Sequence, residues 1–142
     1  MSSYLLDVNV LLALFDQNHI FHRAAGQWFI EEGRHHWLTS PIVENGVIRI
    51  STHSRYSSAQ DPARAIEGMR SLMNVGRHER IPDDVSLLGP EVEARLIHGS
   101  GQVTDTYLVL LAGAHGAKLA TFDRRISGAA VRRPVEIHQI PV

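Results

Sequence analysis

Four acids carry the chemistry that this sequence could perform: Asp7, Glu44, Asp105 and Asp123. Each stands where a predicted strand passes into a helix, or on the first turns of a helix that follows a strand. Asp7 lies in Tyr4-Leu-Leu-Asp-Val-Asn9, Glu44 closes Ser40-Pro-Ile-Val-Glu44, Asp105 follows Val103-Thr, and Asp123 closes Leu119-Ala-Thr-Phe-Asp123. Carboxylates so far apart in sequence meet only through folding, and once gathered they need a strong positive partner. Hard oxygen ligands in a chain without cysteine select magnesium, or manganese in its place. Such an ion acidifies a bound water and neutralises charge on a phosphoryl oxygen, so the expected chemistry is metal-assisted hydrolysis of a phosphodiester.

Each acid also has a plainer reading. Asp7 could cap the helix after it, Asp105 could be a first-turn acid favoured by the helix dipole, and Asp123 could pair with Arg124 at the surface. Glu44 is harder to explain that way. On a helix beginning at Pro41 it shares a face with Val47, Ile48 and Ser51, as Asp105 shares one with Leu108, Val109 and Ala112. Both head apolar stripes, where an uncompensated carboxylate would shift its pKa and neutralise.

The elements that must position these acids alternate between strand and helix periodicity. Residues 3–7 read as a strand, Val8 to Phe15 as a short helix, 21–32 as a second helix and His36 to Thr39 as a strand. Ser40-Pro41 supplies an N-cap and first-turn proline for a helix to about 51. Residues 52–60 read as a flexible polar loop, and Asp61-Pro62 opens a helix with Ala65, Met69, Leu72 and Met73 inward. His78 to Pro82 is a weak strand, and a helix is expected over about 91–98 after Gly89-Pro90. Gly99-Ser-Gly101 forms a hinge-like loop leading to a helix over 103–115, ended by Gly116. Lys118 to Thr121 and Val135 to Ile140 complete the strands. Strands separated by helices require crossovers, hence a mainly parallel sheet flanked by helices, with ligands bound beyond the strands' carboxyl ends.

Composition sets the limits. A chain of 142 residues with 44% hydrophobic content fits one domain, residues 1–142, and can bury a core without staples. The absence of cysteine excludes disulfides, thiolate nucleophiles and cysteine zinc sites. No apolar run approaches a membrane span and no basic leader precedes the first strand, so a soluble cytoplasmic protein is expected. The formal charge of −1 argues against nonspecific coating of nucleic acid, although the positive charge is carried by arginine apart from the single Lys118.

The order and spacing of four blocks resemble the PIN-domain ribonucleases, and most closely the VapC toxins of bacterial toxin–antitoxin pairs. The blocks are Leu-Leu-Asp7-Val-Asn9-Val-Leu-Leu-Ala-Leu, Ser-Pro-Ile-Val-Glu44-Asn-Gly-Val-Ile-Arg49, Thr104-Asp105-Thr-Tyr-Leu-Val-Leu-Leu-Ala and Leu-Ala-Thr121-Phe-Asp123-Arg-Arg-Ile, spanning residues 5–126. The resemblance implies a PIN-like three-layer α/β fold, a mainly parallel central sheet with helices on both faces, and a magnesium-dependent endoribonuclease site that cuts RNA. Asp7 and Asp105 match the acids most directly associated with metal, Glu44 and Asp123 complete the quartet, and Asn9 and Thr121 match polar positions that orient the site. It also implies a small antitoxin partner whose arginine enters the acidic groove, and a homodimer. The sequence departs from the common pattern at Asn45-Gly46, where a kink in the helix is expected.

Arg124 and Arg125 follow Asp123 and are candidates to reach an incoming RNA phosphate. Arg49 is turned from the face of Glu44, and Arg132 and Arg133 are expected to be solvated. The histidines lack zinc-ligand spacing, and Trp28 and Trp37 are expected in the core or at a subunit interface. Two other classes fit less well. A phosphoacceptor signalling domain also clusters acids at strand ends but would carry paired acids that are missing here, and a noncatalytic binding module leaves the four acids without a purpose.

Overall fold

A computed structural model describes residues 2–142, in five strands and five helices. In chain order these are β1 (Tyr4–Leu6), α1 (Val8–Phe15), α2 (His22–Glu31), β2 (Trp37–Thr39), α3 (Pro41–Ser51), α4 (Pro62–Leu72), β3 (His78–Arg80), α5 (Val103–Ala114), β4 (Lys118–Thr121) and β5 (Ile137–Gln139). The strands form one sheet in the order β3-β2-β1-β4-β5, and every pairing is parallel. The chain builds outward from β1 through β2 to β3, then crosses back to β4 and β5. Right-handed crossovers therefore set α1 to α4 on one face and α5 on the other.

The strands at the centre are buried on both faces, as a parallel sheet with two helical layers requires. Tyr4, Leu5, Leu6, Trp37 and Leu119 lie in the core, with Val10, Leu11, Val43 and Val47 packed from one side and Leu108, Val109 and Leu111 from the other. Trp28 is buried as well, edge-on to Tyr4, and Trp37 is edge-on to Phe29, so both tryptophans are core residues. Gly116, at φ +66°, closes the end of α5 and turns the chain into β4.

Several expectations are corrected. Residues 91–98 do not form a helix. Val92 pairs with Val131 in an antiparallel bridge, the Glu93 amide donates to the Ala130 carbonyl at 2.8 Å, and only Ala94–Leu96 closes a single 3-10 turn. Eight residues are too few to hold a helix without tertiary support, and burying the β-branched Val92 against the chain at Val131 wins. Arg132 and Arg133 are exposed but not free in solvent. Arg132 donates to Glu93 at 2.9 Å and Arg133 to the Gly113 carbonyl at 2.7 Å, fastening this bridge to α5.

Residues 52–60 form consecutive hydrogen-bonded turns, with the Gln60 amide returning to the Ser51 carbonyl at 2.9 Å and the Tyr56 hydroxyl donating to buried Asp16 at 2.6 Å. The segment expected to be a flexible loop is thus pinned at both its base and its middle. Ser40 occupies the N-cap position of α3, but its buried hydroxyl makes no hydrogen bond. The cap is long-range instead: Asp83 accepts from the Ile42 amide at 2.8 Å. Helix α3 also runs unbroken through Asn45-Gly46. A Cβ at Gly46 would stand 3.0 Å from a Val8 methyl, so the glycine serves close packing of α3 on α1 and no kink forms.

Candidate metal centre

Strand order reverses between β1 and β4, which opens the crevice where such sheets bind ligands. Asp7 sits there at the end of β1, held from every side. One carboxylate oxygen caps α1 by accepting from the Val8 amide at 2.7 Å, and the other accepts from the Thr121 hydroxyl at 2.8 Å and from the Asn9 carboxamide at 3.3 Å. The capping role and a site role are therefore compatible in one residue.

Asn9 and Thr121 tie two strand ends together. Asn9 donates to the Thr121 hydroxyl oxygen at 3.3 Å and accepts from the Phe122 amide at 3.2 Å, while the Thr121 hydroxyl oxygen accepts from the Asp123 amide at 3.0 Å. One hydroxyl thus touches Asp7 with its proton and the Asp123 backbone with its lone pair, so the positions of those two acids are coupled.

The structure brings Asp7, Asp105 and Asp123 into one electrostatic neighbourhood. Burial pushes the Asp7 carboxyl above its ordinary value, the hydrogen bonds from Thr121 and Val8 oppose the shift, and the charges of Asp105 and Asp123 add to it. Asp105 is raised by burial and by Asp123, with Arg125 acting the other way. Asp123 goes down instead, because the Arg125 amide donates to it at 2.9 Å and the guanidinium Nε lies at 3.2 Å. The surface pairing expected with Arg124 is made by Arg125, since the turn after β4 brings the second arginine back onto the carboxylate. Arg124 is exposed.

Glu44 is placed differently. It is half-buried on α3, and its Oε2 accepts from the Thr39 hydroxyl at 2.7 Å and from Arg80 Nε at 2.8 Å. The Thr39 oxygen also lies 2.7 Å from His78 Nε2, and the His78 ring packs on Trp37. His78 and Arg80 alternate along β3 and so share a face, and from there they reach the carboxylate directly or through Thr39. None of these three was marked as part of the site from sequence. The only signal was a His-x-Arg pair in a weak strand, whose meaning depends on that strand lying beside β2.

Among the described residues no three acidic or histidine side chains stand close enough together to hold an ion. Asp123 is drawn to Arg125 and Glu44 to Arg80, and the remaining like charges repel. The donor set nevertheless fits a hard divalent ion. It consists of carboxylate oxygens at the ends of β1 and β4 and in the first turns of α3 and α5, with Asp7 held by hydrogen bonds from Thr121 and Asn9, and with an excess of negative charge.

Comparison with known proteins bears on the same residues. Residues 4–131 match the PIN domain family. The chain is 38% identical over 135 residues to Ribonuclease VapC39 of Mycobacterium tuberculosis, covering 94% of this chain and 97% of that protein. It is 40% identical over 131 residues to Ribonuclease VapC38 of the same organism, covering 92% of each. In backbone it is similar to the structure of VapBC2 from Rickettsia felis bound to a DNA fragment from their promoter, with a TM-score of 0.65 at 14% identity, over 96% of this chain and 98% of that one.

Proposed function

Because this chain belongs to the PIN-domain family, and matches its VapC ribonucleases along nearly its whole length, we propose that the acids at the ends of β1 and β4 and the start of α5 form the metal centre of an endoribonuclease toxin. The observation that carries the reading is the placing of three acids at neighbouring element ends, where the charges of Asp105 and Asp123 reach buried Asp7 and Arg125 is paired with Asp123. Asp7, Asp105 and Asp123 would hold magnesium, or manganese in its place, with Glu44 as the fourth carboxylate. When bound, the ion supplies a more acidic water and neutralises charge on the phosphoryl oxygen.

The chain's own residues do the rest. Asn9 and Thr121 hold Asp7 and the Asp123 backbone in register, which would limit the movement these two acids need to meet the ion. Arg125 at the rim carries the positive charge that draws in a phosphate, and exposed Arg124 adds to it.

The partners follow from the same reading: an RNA substrate, a small antitoxin protein, and a second copy of the chain. Exposed apolar side chains such as Ile20, at 85% exposure, and Ile30, at 64%, give protein partners a surface. No helix among the described residues is long and apolar enough to cross a membrane, and we place the protein in the cytoplasm. The signalling alternative is disfavoured by topology, because the flavodoxin-like order is 2-1-3-4-5 and the order here is 3-2-1-4-5.

The test is cleavage of a structured RNA by the purified protein. Cleavage should stop in EDTA, return with magnesium, and be absent from Asp7→Asn prepared identically. Undiminished cleavage by that variant would remove the assignment.

A further inference from the structure

Next to the acid cluster lies a cavity of about 200 Å³. Asp105 and Arg125 are among the residues that line it, so it adjoins the place where the nuclease reading puts the scissile phosphate. Its walls are apolar, with Leu96 and Ile126 among them and Ala130 nearby. Besides Asp105 and Arg125, its polar groups are His98, Gln102, Thr106 and Ser127. The cavity exists because residues 91–98 pair with Val131 instead of forming a helix, which lays the segment up to Gln102 over the chain after β4.

We propose that this cavity is a nucleobase subsite, which receives the unstacked base of the nucleotide beside the scissile phosphate and sets which RNA is cut. The inference rests on the nuclease reading of the adjoining acids. A pocket with apolar walls and a few edge-reading polar groups is how enzymes hold a base taken out of its stack, and sequence-specific RNA recognition targets unstacked bases in loops. The hydrogen bonds already made define what remains to be offered. Gln102 accepts from the His98 amide at 2.8 Å through its carbonyl oxygen, which leaves its amide nitrogen to donate. Ser127 accepts from the Ala129 amide at 3.1 Å, which leaves its hydroxyl proton to donate. Two free donors match a base edge with two adjacent acceptors, the O6 and N7 of guanine, over the same edge of adenine, where the N6 amino group donates.

The experiment uses the full chain and five hairpin RNAs that differ only at the nucleotide beside the cut, one for each base and one abasic. Rates are measured with magnesium, and binding of the same RNAs is measured by fluorescence anisotropy in EDTA, where they are not cut. The wild-type protein should favour guanine over adenine by about tenfold in both measurements, the discrimination of one good polar contact. Gln102→Leu and Ser127→Ala, checked for unchanged melting temperature, should each bring that preference to within about twofold. Equal treatment of all five RNAs by the wild type, or an undiminished preference in both variants, would overturn the subsite. Asp7-independent cleavage would instead overturn the nuclease reading, while the anisotropy series in EDTA would still decide whether the cavity reads a base.

Discussion

Arg80 Nε lies 2.8 Å from Glu44 Oε2, so the one acid of the quartet that stands apart from the others is held by a cation from the strand next to its own helix. The pair bridges β3 and α3, and the Thr39 hydroxyl shares the same carboxylate oxygen. A guanidinium there competes with any other cation for Glu44. Arg80→Ala should therefore bind manganese several-fold more tightly than the wild type, as read by titration calorimetry on the RNA-free protein. Unchanged or weaker binding would mean that Arg80 does not restrain the carboxylate.

Asp7 has a stability consequence with a definite sign. Its carboxyl is raised in the folded state, chiefly by burial, so the folded chain holds this proton more tightly than the unfolded chain does. Stability is then lost as pH rises from the ordinary carboxylate range through the raised folded value, and the ionised group disfavours folding above that window. Asp7→Asn keeps a capping side chain and removes the charge. In metal-free buffer it should melt higher than the wild type at neutral pH and equally at low pH, while losing cleavage activity on the order of 100-fold or more. Melting curves taken across the pH range check the first half of this prediction, and the RNA assay checks the second.

Asp16 behaves in the opposite sense. Burial alone would raise it, but hydrogen bonds from Tyr56, the Asn18 amide and Ser58 bring it below the ordinary value. Its contribution is present above the unfolded pKa and lost as pH falls through the folded one. Tyr56→Phe removes the 2.6 Å hydrogen bond and should cost about 1–3 kcal/mol in urea unfolding at neutral pH. The difference should shrink in acid. A variant as stable as the wild type at pH 7 would show that the turns over 52–60 do not depend on this contact.

Gly46 faces the start of α1. Alanine gains up to about 1 kcal/mol in helix propensity, but its Cβ would sit 3.0 Å from a methyl of Val8, a stiff β-branched side chain. We expect the close approach to win, with Gly46→Ala net destabilising by about 1 kcal/mol. Because Val8 follows Asp7 directly, cleavage should fall as well. Adding Val8→Ala should restore much of both, and a double-mutant cycle with no coupling between the two positions would contradict the packing argument.

Apart from the helix expected over 91–98, the sequence alone determined the element order, the parallel character of the sheet and the location of the acids at strand and helix ends. Those features follow from local periodicity, from N-cap and proline chemistry and from the crossover rule, none of which needs distant contacts. The helix expected over 91–98 failed where local pattern met a stronger long-range option, the pairing of Val92 with Val131. The cap of α3 failed likewise, because Asp83 arrives from the end of another strand and displaces the role that Ser40-Pro41 suggested. Within the site, the charges of Asp105 and Asp123 reach Asp7, and Asn9 and Thr121 hydrogen-bond to it. That Arg125, not Arg124, pairs with Asp123 depends on the turn after β4, and that Glu44 is held by Arg80 depends on β3 lying beside β2. Side-chain pairing between elements distant in sequence is set by sheet order and register, and those exist only once the chain has folded.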